Sequence, residues 1–394
     1  MKILVITPKY FPDNFAIIPI VEGFIKEGNK VTVITSMPFD KNGKYLKEYR
    51  SKKIECNGNL TIHRLEVMTR KKSRLTIAFN YLSFCFLSSL WARSTKEKFD
   101  VIYTFEVSPV TVLRAGNIYK KKYNVKHIVH VLDIWPESLI ASSYFKKDSY
   151  YYQKMYSWSK KLYSGADELL IGSPSFKSYL EDYLDIKNIP IKYVPQPGLI
   201  YQKENSNNPY IEGTFNILYC GNISSIQLVD HIVPAFSKID NPSIHFYIIG
   251  EGRYSSKLKE EINNSHSKDR IHYLGGMNYV DAYDYLYHAD AFFIGLDDST
   301  LVGHTIPNKL ITSLYFSHPI IAMINGDGKK VLENSGGALI IERDDEALSH
   351  AINDLYNMDN RKRMVLGKNN KLYYEQEFSE EDIVRKILLS LSSK

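Results

Sequence analysis

Short apolar runs of about five residues recur along the whole chain and alternate with helix-spaced segments. The first is Ile3-Leu4-Val5-Ile6-Thr7, closed by Pro8. It is continuously apolar rather than alternating, the pattern of a strand buried on both faces of a parallel sheet. A helical stretch over residues 17–27 stops at Gly28-Asn29, and Val31-Thr32-Val33-Ile34-Thr35 reads as the next strand. Strand, helix and strand in that span make a βαβ unit. Runs at 101–105, 128–132, 168–171 and 191–194 continue the series. Pro195-Gln196-Pro197-Gly198 then breaks regular structure, and the polar stretch 202–213 reads as a linker. A second series follows at 215–219, 244–249, 271–275, 291–295, 320–323 and 338–341, and the tail from Asp344 reads as helical. A chain of 394 residues is too long for one ordinary core. The predicted division is a first domain over 1–198, a linker over 199–213, a second domain over 214–378 and a final helix over 379–394.

The composition is that of a globular chain, 44% hydrophobic and 24% charged. Its net charge of +6 is uneven. Arg70-Lys71-Lys72-Ser73-Arg74 is the densest basic cluster, and the apolar segment 75–91 follows it, with Phe79, Leu82, Phe86 and Leu90 at helical spacing. This segment, interrupted by Asn80 and several serines, is marginal as a membrane span. It reads either as a buried crossover helix behind a solvated basic loop, or as a contact with an anionic membrane surface. Both hold together if one face packs on the sheet while the loop meets lipid. A basic cluster without interleaved aromatics gives no support for nucleic acid. Cys56, Cys85 and Cys220 are isolated, so neither a disulfide framework nor a zinc site is indicated, and Cys85 and Cys220 read as core thiols. The N-terminal apolar run is too short for a signal peptide. A reducing, cytoplasmic setting is expected.

Sheets of this kind bind ligands beyond the carboxyl ends of their strands. The loop after the first strand has no glycine, which removes the Gly-x-Gly-x-x-Gly dinucleotide reading. Asp133-Ile134-Trp135-Pro136-Glu137-Ser138 stands at the end of the strand 128–132. Asp133 there either accepts hydrogen bonds from sugar hydroxyls or caps the next helix. Trp135 either offers an apolar face to a sugar ring or packs in the core, and Glu137 stands either at the ligand or in a first helical turn. His130 reads as a core histidine. In the second half Gly221-Asn222 and Gly250-Glu251-Gly252-Arg253 follow strands, where glycine lets backbone come close to a ligand. Arg253 is able to pair with a phosphate in forked geometry. Asp297-Asp298 lacks a third ligand at metal-binding spacing, so no metal is expected. Thr305-Ile306-Pro307-Asn308-Lys309 reads as a loop entering a helix opened by Pro307. A helix start presents free N–H groups and a positive dipole end to an anion, and Lys309 adds a full charge, unless it is an ordinary surface lysine.

Two βα-rich halves around a linker resemble the GT-B fold: α/β, two Rossmann-like domains facing a central cleft. The chain resembles glycosyltransferase family 4, in the branch serving capsule, O-antigen or exopolysaccharide assembly. The markers are Asp133–Ser138 as quoted, Tyr219-Cys220-Gly221-Asn222-Ile223, Ile249-Gly250-Glu251-Gly252, and Pro307-Asn308-Lys309 followed by His318-Pro319-Ile320-Ile321-Ala322. The resemblance implies a retaining transfer by front-face attack. The second domain would hold a nucleoside-diphosphate sugar through Gly221, Asn222, Gly250, Arg253, Pro307, Asn308, Lys309 and Thr312. Lys309 would neutralise the leaving diphosphate. Asp133, Trp135 and Glu137 would meet the sugar or a lipid-linked saccharide acceptor. Arg70, Lys71, Lys72 and Arg74 would sit at the anionic inner face of the cell membrane. No cofactor is implied. The family often has two glutamates eight positions apart near this helix, the second holding the nucleotide ribose; His304 and Thr312 stand there instead. Those departures leave open a non-catalytic subunit of a polysaccharide assembly complex, and the two-domain pattern leaves open a sugar-nucleotide epimerase.

Overall fold

The computed structural model describes residues 1–393 except 14, 41, 72, 142–145, 148, 201 and 202, and the side chains of 74, 141 and 302 are likewise left out. Two expected membrane-facing groups, Lys72 and the side chain of Arg74, thus lie outside the described residues. The chain forms two units, Met1–Pro197 with Glu380–Lys394, and Gly198–Ser379.

The first unit is built on a sheet of eight strands: β1 (Lys2–Ile6), β2 (Lys30–Ser36), β3 (Ile54–Asn57), β4 (Leu60–Leu65), β5 (Val101–Glu106), β6 (Lys126–Val131), β7 (Glu168–Ile171) and β8 (Ile191–Tyr193). Their spatial order is β3-β4-β2-β1-β5-β6-β7-β8. All neighbours are parallel except β3 and β4, a hairpin turned at Gly58 with φ +57°. The sequence reading missed this hairpin, although Asn57-Gly58 is a strong turn signal. The central strands β1 and β5 are buried along nearly their whole length. That accounts for their unbroken apolar runs.

The last helix, Glu380–Ser392, belongs to this unit. Its face Ile383, Val384, Ile387 and Leu391 is buried, and it lies against the helix Ile17–Lys26. Gly23 makes the close approach possible, since a Cβ there would stand 2.6 Å from a Val384 methyl. Ser390 donates to Glu168 at 2.8 Å and Lys126 donates to the Ser390 carbonyl at 2.9 Å, fixing the helix end.

The second unit has six parallel strands: β9 (Phe215–Cys220), β10 (Ile244–Ile249), β11 (Ile271–Gly275), β12 (Ala291–Gly295), β13 (Ile320–Met323) and β14 (Ala338–Ile340), in the order β11-β10-β9-β12-β13-β14. Apolar clusters fill both faces of this sheet. In each sheet the chain order reverses once near the middle, between β1 and β5 and between β9 and β12. Loops diverge at such points and leave a crevice at the strand ends.

Candidate functional site

In the second unit a cavity of about 480 Å³ occupies this crevice. Its floor is Leu218 and Cys220 of β9, Ile249 of β10 and Ile294 of β12. Gly221 and Asn222 line it after β9, Gly250 after β10, and Pro307, Asn308, Lys309 and Thr312 line it from the helix Asn308–Tyr315. Those seven are all but one of the eight residues expected to contact a donor. Arg253 is exposed and is not part of the lining. Pro307 is the residue before the helix, in extended conformation, rather than the first helical one. The first-turn N–H groups of this helix have no intrahelical partner, and Asn308 and Lys309 of that turn line the cavity. Gly250 has φ +147°, and a Cβ there would fall 1.7 Å from the Gly221 carbonyl oxygen. The glycine therefore lets two loops pack on each other, beyond any approach to a ligand.

Lys309 is turned inward. Its ammonium donates to the Gln227 amide oxygen, to the Gly295 carbonyl at 3.0 Å and weakly to the Tyr219 hydroxyl at 3.5 Å, and it lies 4.8 Å from the centre of the Tyr219 ring. Burial pushes its pKa down to about 7, with the Cys220 thiol opposing slightly. A desolvated lysine with neutral partners favours its uncharged form. An incoming dianion reverses that balance. Thr312 is 8% exposed and faces Asn308 across 3.3 Å, so the position of the family's ribose-holding acid carries a small hydroxyl. His304 is half-buried in the turn Leu301–His304 and does not line the cavity. Glu251 is the one carboxylate among the described lining residues. The sequence reading quoted it within a motif but gave it no role, and it gave none to Gln227 or Tyr279, which also line the cavity. Cys220, expected in the core, is partly buried on the cavity wall.

In the first unit the expected acidic motif follows β6. Asp133 is half-buried and accepts a hydrogen bond from the Ser138 hydroxyl. Burial pushes its pKa up to about 6, against hydrogen bonds from Ser138, Ser108 and Trp135 that hold it down. Glu106, at the end of β5, is fully buried beside it. Burial and the neighbouring Asp133 push its pKa well up, and one of its carboxyl oxygens has no protein partner. Tyr163 reaches the other at 3.4 Å.

Trp135 and Glu137 are corrections to the sequence reading. Trp135 is 4% exposed, packs edge-on against Tyr81, and donates to Ser108 at 3.2 Å. It offers no open face to a sugar. Glu137 is 7% exposed and accepts from Tyr152 at 2.5 Å. Both brace the loop that carries Asp133. His130 is a core histidine, bonded to Tyr103 at 2.6 Å and to the Val194 carbonyl at 2.8 Å.

The helix Arg74–Ser94 carries its apolar segment with two unlike faces. Phe84, Cys85, Ser88, Ser89 and Ala92 are buried, and the helix packs on Leu113–Tyr123. Leu75, Phe79, Leu82, Phe86 and Leu90 form the opposite face and are 49–71% exposed. Among the described residues this is also the one helix, over Leu75–Ser94, long and apolar enough by composition to cross a membrane. Lys71 is exposed in front of it, whereas Arg70 is half-buried and lines a small cavity in the first unit. No group of three or more metal-binding side chains occurs among the described residues.

Residues 202–373 match the glycosyl transferases group 1 family. This span lies within the second unit and contains its whole cavity lining except Leu199. The probable glycosyltransferase WbjE of Pseudomonas aeruginosa is 22% identical over 287 residues, covering 70% of each chain. Anabaena Alr3699/HepE, solved in complex with UDP-glucose, superposes with a TM-score of 0.69 at 13% identity over the full length of both chains. WaaG, a glycosyltransferase involved in lipopolysaccharide biosynthesis, superposes with a TM-score of 0.71 at 12% identity, also over both full lengths. These likenesses establish the GT-B fold. Together with the group 1 domain they support glycosyltransferase activity.

Proposed function

We propose that the second-unit cavity holds the nucleoside diphosphate of a sugar donor, and that the chain transfers this sugar, with retained configuration, to a lipid-linked saccharide acceptor in surface polysaccharide synthesis. The observation that carries the reading is Lys309, half-buried on a cavity wall at a helix start, with only uncharged partners among the described residues. It exchanges the Gln227 amide for diphosphate oxygens and regains its proton. The helix N–H groups and the restored ammonium then stabilise the charge that develops on the leaving group. Retention by front-face attack needs no enzyme nucleophile, so the work is positioning and charge stabilisation. No divalent metal is required, and activity should survive a chelator. Asp133, with the base form available above a pKa of about 6, orients the acceptor hydroxyl. The exposed apolar stripe from Leu75 to Leu90, with Lys71 in front, docks on the anionic inner face of the cell membrane.

His304 and Thr312, where acids are usual, favour a second reading, a donor-binding subunit without turnover. Thermal stability against UDP, GDP, dTDP and CMP, in the wild type and in Lys309→Ala, tests the donor site. Ligand at about 100 times its dissociation constant adds roughly 2.7 kcal/mol. A shift with one nucleotide that Lys309→Ala weakens is the expected result. No shift with any of them removes the donor reading, and a shift without sugar transfer in any acceptor mixture selects the second reading.

A further inference from the structure

The small cavity of the first unit sits at the ends of β1, β2 and β5, at that sheet's own reversal point. Two cations line it, and they differ. Lys9 is neutralised within the unit by Asp13 at 2.6 Å. Arg70 is half-buried, and no acid pairs with its guanidinium among the described residues. Its place is fixed by the loop on either side. Thr69 donates to the Gly43 carbonyl at 2.8 Å, the Lys71 N–H donates to Thr76 at 3.0 Å, and Asn80 donates to the Met68 carbonyl at 2.7 Å. The guanidinium is thus presented on a braced loop, partly dehydrated, with its charge unanswered. That is the arrangement a phosphate completes in forked geometry.

The two flanks of the cavity define the rest of the ligand. On one side Ser108 lines it, and the same residue hydrogen-bonds both Trp135 and Asp133. On the other side Tyr81 lines it, one residue from Leu82 of the exposed apolar stripe on the same helix. An anion on Arg70 therefore has a polar neighbour leading to Asp133 and an apolar track leading away. We infer that Arg70 binds the phosphate of the lipid-linked acceptor, with the saccharide toward Asp133 and the lipid chain along Phe79 and Leu82. This rests on the acceptor role proposed above for the first unit, and it separates Arg70 from Lys71, which the sequence reading grouped together.

The test is binding of farnesyl diphosphate, and of farnesol, to the full-length protein by calorimetry. Wild type should bind the diphosphate at least tenfold more tightly than farnesol. Arg70→Gln should lose at least tenfold for the diphosphate and little for farnesol, while Lys71→Gln changes either by less than about twofold. Retained melting shifts with nucleotide in Arg70→Gln show that the variant is folded. The inference is overturned if wild type does not prefer the diphosphate, or if Arg70→Gln binds it normally. Loss of that binding in Lys309→Ala overturns it too, by placing the probe in the second unit. A third contrary result is that Arg70→Gln and Lys71→Gln lose binding to phosphatidylglycerol vesicles equally and nothing else, which assigns Arg70 to the bilayer surface. The donor reading fails separately, by absence of any nucleotide-induced shift in the wild type.

Discussion

The cavity of the second unit and the acidic loop of the first each bury an ionisable group where a ligand would lie, and the same physics moves the two groups in opposite directions. Lys309 loses water and gains only neutral partners, so its pKa falls to about 7. Asp133 loses water beside Glu106, and its pKa rises to about 6. Desolvation favours the neutral form in both cases. The difference lies in what restores charge. Lys309 takes up a proton from solvent once a dianion arrives beside it, whereas Asp133 is already mostly ionised at neutral pH. The cavity of the second unit is therefore a site that its ligand completes, and the acidic loop of the first is nearly complete without one.

The sharpest break of that comparison is Lys309→Ala. It should reduce turnover by about 10²–10³-fold, the range for removing one group that stabilises developing charge. If the lysine is merely structural, turnover falls only as far as stability does. Stability should move the other way. The unfolded chain holds the lysine proton to a pKa of about 10.5, and the folded chain only to about 7. Between those values the unfolded state binds more protons, so wild-type stability rises with pH across the window. Replacing Lys309 with methionine should abolish that rise and raise the melting temperature of the ligand-free protein at pH 7. Melting curves from pH 6.5 to 10 decide it.

Asp133→Asn comes next, with an expected loss of about 10²-fold, the lower range for a group that handles a proton in the transition state. Wild-type kcat/KM should fall as pH drops through about 6, where Asp133 takes up its proton. The variant should lack that acid limb. A limb that persists unchanged in Asp133→Asn would transfer the role to another group and leave the acidic loop as scaffold.

Legibility followed the same division. Residues that stand at strand ends and a helix start were readable as neighbours, because periodicity places those ends: Gly221, Gly250, Asn308 and Lys309 all line one cavity. The motif at Asp133 was readable as a motif but not in its orientation. Which way Trp135 and Glu137 point depends on Tyr81, Tyr152 and Ser108, which are distant in sequence. The basic cluster was legible as charge and not as two environments, since the separation of Arg70 from Lys71 depends on the loop's bonds to Gly43 and Thr76. The outward face of the helix Arg74–Ser94 was similarly hidden. Helical spacing groups Phe79, Leu82, Phe86 and Leu90 on one side but does not say that the serine-rich side is the buried one.

That stripe gives the third prediction. Leu82→Glu with Phe86→Glu should weaken binding to phosphatidylglycerol vesicles by about tenfold or more, since burying a Leu or Phe contributes roughly 1.5–3 kcal/mol and these side chains are about half exposed beforehand. The melting temperature should change little, because neither residue is in the core. A large drop in melting temperature with unchanged vesicle flotation would make the stripe a packing surface instead.

The smallest effect is expected at Glu251. With Thr312 and His304 in place of acids, Glu251 is the carboxylate left on the described lining to accept ribose hydroxyls. It is exposed, so water competes for it, and such a hydrogen bond contributes a net 0.5–1.5 kcal/mol at about 25 °C. Glu251→Gln should therefore weaken nucleoside diphosphate binding by about two- to tenfold and leave the affinity for inorganic diphosphate unchanged, as titration calorimetry with the two ligands would show. Equal weakening of both would mean that the carboxylate acts through Lys309 or the glycine loop. In that case the second unit grips the donor by its diphosphate alone, and the contrast between a ligand-completed site and a pre-formed one becomes sharper.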